Sequence, residues 1–196
     1  MKTINEMFRS IIALNEGGES VAYEFSDPDG VRSGKSGWSF GLCQFDTRNN
    51  GEAIKCLVDC GFTQDEIHGI VDQTIDVVPL AARLIAHKGI VDRYDMAQLQ
   101  HCLDSAGNFA ANHNIPLADS AAFLMTADTV NQFGSLGDGS AAHLLSLSKP
   151  VTADDILAMK LTWKYATQVK GGKEDTKRRY DNVMSIVNAN CGQPTE

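Results

Sequence analysis

Four carboxylates in the N-terminal part of the chain have the types and spacing that acid–base chemistry requires. Glu16 directly precedes a pair of glycines, and Asp27, Asp29 and Asp46 follow it. A reaction that needs a proton donor and a base is often carried out by two such side chains. Glu16 is the candidate general acid, and the aspartates are candidates for a second carboxylate. Each aspartate also has a structural interpretation, because Asp27 and Asp29 flank a proline turn and Asp46 is placed to cap a helix.

An amphipathic helix over residues 3–15 is predicted to position Glu16. Thr3 and Glu6 form a capping-box pattern at its start, and Gly17 and Gly18 are typical of its end. Helical periodicity puts Glu16 at the edge of the apolar stripe, beside the negative end of the helix dipole. Both effects predict a raised pKa, which suits a general acid, although a solvated glutamate in the last turn is the alternative. The stripe consists of Ile4, Met7, Phe8, Ile11, Ile12 and Leu14.

The next segment, residues 17–48, has the composition of short strands and turns. Strand-like pieces at residues 21–25 and 38–42 are separated by turn signals at residues 26–30 and 33–37. We expect a small antiparallel hairpin or a three-stranded sheet. Ser39 and Gly41 would face the same way, so that a hydroxyl and an open backbone point into one groove, with Gln44 just beyond.

From residue 50 onward the sequence predicts helices. One helix is predicted to begin with a capping box over residues 63–66, and the longest clean apolar stripe covers residues 96–110. A buried central helix over residues 121–133 is followed by a loop marked by Gly134, Gly137 and Gly139. Two final helices cover residues 152–168 and 173–190. The fold class predicted is therefore α+β, mainly helical, in a single domain over residues 1–196. Its β-containing lobe would cover residues 17–48 and its helical lobe residues 50–190.

Composition excludes some classes of partner. The chain has 196 residues and a net charge of -8, with a pI near 5.0. An acidic protein is not expected to bind nucleic acid or an anionic membrane. The five cysteines lack zinc-site spacing and predict free thiols. Neither a signal peptide nor a membrane span is recognisable, so we expect synthesis in the cytoplasm and no stable membrane insertion.

The residues around Glu16 resemble those of the lysozyme-like superfamily. Glu16-Gly17, then Tyr23, then Ser39-Phe40-Gly41 follow the order found in phage-type lysozymes. Gly41-Leu42-Cys43-Gln44 resembles the Gly-Leu-x-Gln segment of lytic transglycosylases. Residues 127–134 and 165–180, the latter with Arg178-Arg179, are similar to the buried and closing helices of phage endolysins. One departure is that phage-type lysozymes carry an aspartate shortly after the tyrosine, where this chain has residues 24–27, Glu-Phe-Ser-Asp.

The resemblance implies cleavage of the β-1,4 bond between N-acetylmuramic acid and N-acetylglucosamine in peptidoglycan. Glu16 would protonate the leaving oxygen, and either water, assisted by Asp27 or Asp29, or the sugar's own 6-hydroxyl would attack. The residues implied to bind substrate are Tyr23, Ser39, Gly41, Gln44, Asn131 and Gln132. No metal or organic cofactor is implied. The partner would be the glycan strand, with an inhibitor or immunity protein as a further one, and we expect a monomer.

The predicted place of action is the bacterial wall or periplasm, reached after release as a phage endolysin or injection as an antibacterial effector. Three alternatives stay open, and one of them is a helical interaction domain with no cleft. A chitosanase or chitinase would suit the acidic charge better, because chitosan is cationic. A non-catalytic glycan-binding module would keep its function after Glu16→Gln.

Overall fold

The computed structural model describes residues 1–28, 30, 34–147 and 149–191. Its described residues are mainly helical with one two-stranded antiparallel sheet, which is compatible with the predicted α+β class. The chain forms two compact units. We call Glu16–Gln98 the hairpin unit, and Met1–Asn15 with Leu99–Glu196 the C-terminal unit. The hairpin unit thus extends well beyond the lobe predicted over residues 17–48.

Ten α-helices are found in the described residues, and several begin with the caps that the sequence predicts. Thr3 and Thr63 exchange hydrogen bonds with Glu6 and Glu66 at the starts of α1 and α3. The helices are α1 Ile4–Asn15, α2 Gly51–Asp59, α3 Gln64–Val71, α4 Val78–Ala86, α5 Lys88–Asn112, α6 Ser120–Phe133, α7 Asp138–Leu145, α8 Ala153–Leu161, α9 Lys164–Gln168 and α10 Gly172–Cys191.

The sheet of the hairpin unit is smaller than expected. Strand β1, Ser39–Phe40, pairs with β2, Phe45–Asp46. The strand predicted over residues 21–25 is wrong, because Glu19–Tyr23 forms a 3₁₀-helix. The Ala22 carbonyl accepts the Gly41 amide at 2.8 Å, so this segment packs on the hairpin without extending as a strand. A single bridge between Ser26 and Ser39 is the part of the predicted pairing that forms.

The C-terminal unit is built around α6, which packs against α1, α8 and α10. Most residues of α6 are buried, which confirms the prediction of a central helix. The single helix predicted over residues 152–168 is wrong, because α8 ends before Trp163, whose extended backbone separates it from α9. The Trp163 ring instead packs edge-on against Phe133, at 5.1 Å between centroids. Helix α7 follows Gly137 where the sequence indicated only a loop.

All five cysteines are free, as predicted, and all but Cys191 are buried. In the part of the chain that the structure describes, no helix is both long and apolar enough to cross a membrane.

Candidate active site

Glu16 follows the last residue of α1, as the sequence predicts. It is half-buried, and the next two residues, Gly17 and Gly18, have φ angles of 100° and 99°. Residues with a side chain rarely adopt such angles, so the glycines end the helix at this point. Glu16 is therefore the first residue after a helix with a sharply defined end.

The end of α1 is fixed by an arginine from the last helix. Arg178 donates to the carbonyls of Leu14 and Asn15, at 3.2 and 3.1 Å, and also to the Asp175 carboxylate at 2.5 Å. These carbonyls are among those that a helix leaves without an internal partner, and a cation there is favoured by the helix dipole. Because Asn15 is joined to Glu16, the backbone that carries Glu16 is restrained by these bonds.

The Asn15 side chain is itself part of a buried ionic network. Its amide donates to Asp128 Oδ1 at 2.8 Å, and its own oxygen accepts from Asn182 at 2.8 Å. Asp128 is fully buried and also faces Arg179 at 3.0 Å and Lys160 at 3.6 Å. Burial lowers the pKa of Lys160, and the nearby Asp128 carboxylate opposes this effect. One carboxylate thus holds two cations and the end of α1 together.

The hairpin turn brings three predicted substrate-binding residues together, and adds Ser26. Gln44 has a φ of 52°, and its Nε2 donates to the Gly41 carbonyl at 3.0 Å. Its Oε1 accepts from Ser26 Oγ at 2.5 Å, and Ser26 pairs through its backbone with Ser39. Since an amide side chain offers two donors and two acceptor lone pairs, Gln44 retains the capacity to bond a ligand.

Gly41 has a structural role that differs from the one expected. Its φ is 78°, and a Cβ there would lie 2.7 Å from the Phe45 ring and 2.9 Å from Asp95 Oδ1. The space expected to admit a sugar is therefore filled by the protein's own side chains. Ser39 is 2 % exposed, so its hydroxyl is also inside the unit.

The buried Asp95 organises the same turn. Its two carboxylate oxygens accept the amides of Leu42 and Cys43, each at 2.9 Å. Asp95 lies on α5, so this helix fixes the backbone of the turn that carries Gln44.

The remaining candidates of the segment make contacts within the hairpin unit. The Tyr23 hydroxyl donates to Asp92 at 2.6 Å. Asp27 accepts the Gly30 amide through both its carbonyl and its Oδ1, at 3.2 Å, which confirms the turn. The role of Asp27 as a second carboxylate stays a prediction, and Asp29 lies outside the described residues.

Asp46 closes the loop that precedes α2. It accepts the amides of Gly37 and Arg48 at 2.8 Å, and the Asn49 side chain at 2.7 Å. Burial would raise the pKa of Asp46, but these hydrogen bonds outweigh it and leave the pKa below its ordinary value. The side-chain cap of α2 is Asn50, so the interpretation of Asp46 as that cap is wrong.

Asn131 and Gln132 are in the last turn of α6, in the C-terminal unit. Both are half-buried. Gln132 donates to Asp175 at 3.0 Å, and Asn131 lies 3.9 Å from the Cys102 sulfur. Their predicted contact with substrate stays a prediction.

Sequence reasoning missed Asn15, Ser26, Asp95 and the specific role of Arg178. Asn15 could have been suspected as the polar neighbour of Glu16 in an amphipathic helix. Arg178 belongs to a basic stretch of sequence, and such a stretch is also typical of a helix face exposed to solvent. Asp95 carries no local signal, because its partners are more than fifty residues away along the chain.

Among the residues that the structure describes, no group of three or more His, Cys, Asp or Glu side chains could hold a metal ion. Comparisons of the chain with family models, with curated proteins and with solved structures gave no match. The structure is compatible with the α+β class, and the lysozyme-like family stays a prediction from the resemblance around Glu16.

Proposed function

We propose that this protein is a lysozyme-like enzyme that cleaves the β-1,4 bond between N-acetylmuramic acid and N-acetylglucosamine in peptidoglycan. The observation that carries the proposal is the restraint on Glu16. Arg178 bonds the two carbonyls before it, and the network of Asp128 holds the Asn15 side chain. A general acid is effective when its position is fixed before the substrate arrives, and the backbone before Glu16 meets this condition.

The hairpin supplies the second line of support. Gln44 is held in place by Ser26 and by the Gly41 carbonyl, and it retains bonding capacity towards a sugar. Asp95 fixes the backbone of the turn that carries Gln44. Amide side chains with a fixed orientation suit the hydroxyl and acetamido groups of a glycan.

In the proposed reaction Glu16 gives its proton to the leaving glycosidic oxygen as the bond from the anomeric carbon breaks. Two completions are open. In hydrolysis, water adds to the anomeric carbon and Asp27 accepts its proton. In transglycosylation, the 6-hydroxyl of the muramic acid adds instead, and its proton returns to Glu16. The second route needs one protein carboxylate, which fits a chain in which Asp27 already bonds its own turn.

The test is digestion of purified peptidoglycan by the wild type, Glu16→Gln and Asp27→Asn, with mass spectrometry of the fragments. Glu24→Gln is a matched control, because Glu24 is an exposed glutamate of the same segment. We expect Glu16→Gln to lower the rate about 10²–10⁴-fold and the control to leave it unchanged. Fragments lighter by one water, with Asp27→Asn active, would identify transglycosylation. Reducing-end fragments, with Asp27→Asn inactive, would identify hydrolysis.

A wild type that releases no fragments from peptidoglycan would refute the proposal. The net charge of -8 favours a cationic polymer as the second candidate substrate. Chitosan is therefore included in the same assay. Its cleavage by the wild type but not by Glu16→Gln would indicate a chitosanase activity that uses Glu16.

The proposed setting is the wall of a bacterium, entered by a phage endolysin or by an injected effector. Either setting is compatible with the free cysteines, which need no oxidising compartment.

A further inference from the structure

A second candidate binding site lies in the C-terminal unit. It is a surface cavity of about 390 Å³ between the second half of α5 and the end of α6. This volume is within the range of small-molecule sites, which begins at about 300 Å³. We call it the α5 groove; it is lined by His101, Ser105, Asn108, Phe109, Asn112, His113, Val130 and residues 134–136.

Polar side chains form one wall of the α5 groove. His101, Ser105, Asn108 and Asn112 follow each other at intervals of four, three and four residues on a continuous helix. This spacing places them in one stripe, and the rise of a helix makes the stripe roughly 16 Å long. Within the described residues, none of these four side chains is hydrogen-bonded to another part of the chain. Their donors and acceptors are therefore available to a ligand.

The floor of the α5 groove is apolar. Phe109 and Val130 are 8 % and 2 % exposed. The His113 ring packs on Phe109 at 5.1 Å between centroids, and its Nε2 lies 3.9 Å from Asp138. The groove thus combines a row of uncommitted hydrogen-bonding groups with a small apolar surface beside them.

This chemistry selects a class of ligand. The described lining residues include no lysine, arginine, aspartate or glutamate, so a phosphate or another strong anion would find no charged partner. Asn108 and Asn112 are exposed to water, and an apolar ligand that covered them would displace this water without replacing its hydrogen bonds, which is costly. An N-acetylated sugar offers hydroxyl groups and an amide for the polar stripe, and a methyl group for the floor.

We propose that the α5 groove is a second glycan-binding site, selective for uncharged oligomers of N-acetylated amino sugars. Such a site would hold the glycan polymer while Glu16 carries out the proposed cleavage. It uses no catalytic residue, so binding in the α5 groove does not depend on whether Glu16 cleaves the same polymer.

The experiment is an NMR titration of the full-length, isotope-labelled Glu16→Gln protein with chitotetraose, which this variant should not consume. We expect saturable shifts of the side-chain amides of Asn108 and Asn112. The double variant Asn108→Ala/Asn112→Ala should bind about tenfold more weakly, as expected for two lost hydrogen bonds. Asn188→Ala, which removes one asparagine side chain from an exposed face of α10, should bind as before.

Maltotetraose is the ligand control, because it has the hydroxyl groups without the acetamido groups. Equal binding of maltotetraose would overturn the selectivity for N-acetylated sugars. Shifts that avoid residues 101–113, or none at millimolar chitotetraose, would overturn the site itself. Shifts in the α5 groove with no cleavage of peptidoglycan by the wild type would support this site and refute the proposed enzyme.

Discussion

Replacing Asp128 by asparagine tests whether one buried carboxylate holds the end of α1. The substitution keeps the shape of the side chain and removes its charge. In the folded protein Asp128 is fully buried and faces Arg179 at 3.0 Å and Lys160 at 3.6 Å, and it accepts the Asn15 amide at 2.8 Å. Asp128→Asn therefore leaves two buried cations without their shared counter-ion.

The size of the effect follows from these contacts. Removing one partner of a buried ion pair costs about 3–5 kcal/mol of unfolding free energy. Arg179 keeps a second carboxylate, Asp175, at 3.6 Å from its Nε, so part of its charge stays compensated. Lys160 is 1 % exposed and has the Phe133 ring at 5.6 Å, a weaker partner than a carboxylate. We expect a loss near the lower end of that range, about 3 kcal/mol.

Urea denaturation measures this loss as a shift in the midpoint at constant m value. The control is Asp104→Asn, an exposed aspartate of α5, which should change the unfolding free energy by less than about 0.5 kcal/mol. Adding Lys160→Met to Asp128→Asn should recover stability, because it removes a cation that has lost its counter-ion. A loss below about 1 kcal/mol for Asp128→Asn, or a further loss on adding Lys160→Met, would refute the reasoning.

Three further predictions concern other contacts. Gly41→Ala should lower the unfolding free energy by about 2–5 kcal/mol, because the new methyl meets the Phe45 ring at a positive φ; an unchanged urea midpoint would contradict this. The hydrogen bonds from Arg83 lower the pKa of Glu66 from 4.5 to about 2, so their stabilisation is present above pH 4.5 and is lost as the pH falls towards 2. Urea midpoints at several pH values should therefore fall less on acidification for Glu66→Gln than for the wild type, and equal slopes would count against the pair. Arg178→Gln should lower kcat on peptidoglycan more than it changes KM, as expected of a positioning residue, whereas a change confined to KM would exclude that role.

Local sequence signals were sufficient for the helices whose ends are set by neighbouring residues. The capping boxes of Thr3 with Glu6 and of Thr63 with Glu66 form as predicted, because cap and partner are three residues apart. The all-round apolar pattern of α6 likewise predicted its burial. Gly17 and Gly18 marked the end of α1 because the backbone there adopts angles that favour glycine.

Strands and short helices were harder to predict, because packing decides them. The segment at residues 21–25 has the composition of a strand, yet it forms a 3₁₀-helix whose Ala22 carbonyl bonds the hairpin. Trp163 interrupts the helix predicted over residues 152–168, and its ring lies against Phe133. In both places a contact with another element outweighs the local preference.

The sequence by itself determined the acid candidate and the helix that carries it, since Glu16 follows an amphipathic stretch and precedes two glycines. Only the tertiary structure decided what restrains that acid. Asn15 meets Asp128 across 113 residues of chain, and Arg178 reaches the Leu14 carbonyl across 164. Such bonds leave no periodicity or spacing in the sequence, because their partners become neighbours only when α1, α6 and α10 pack together.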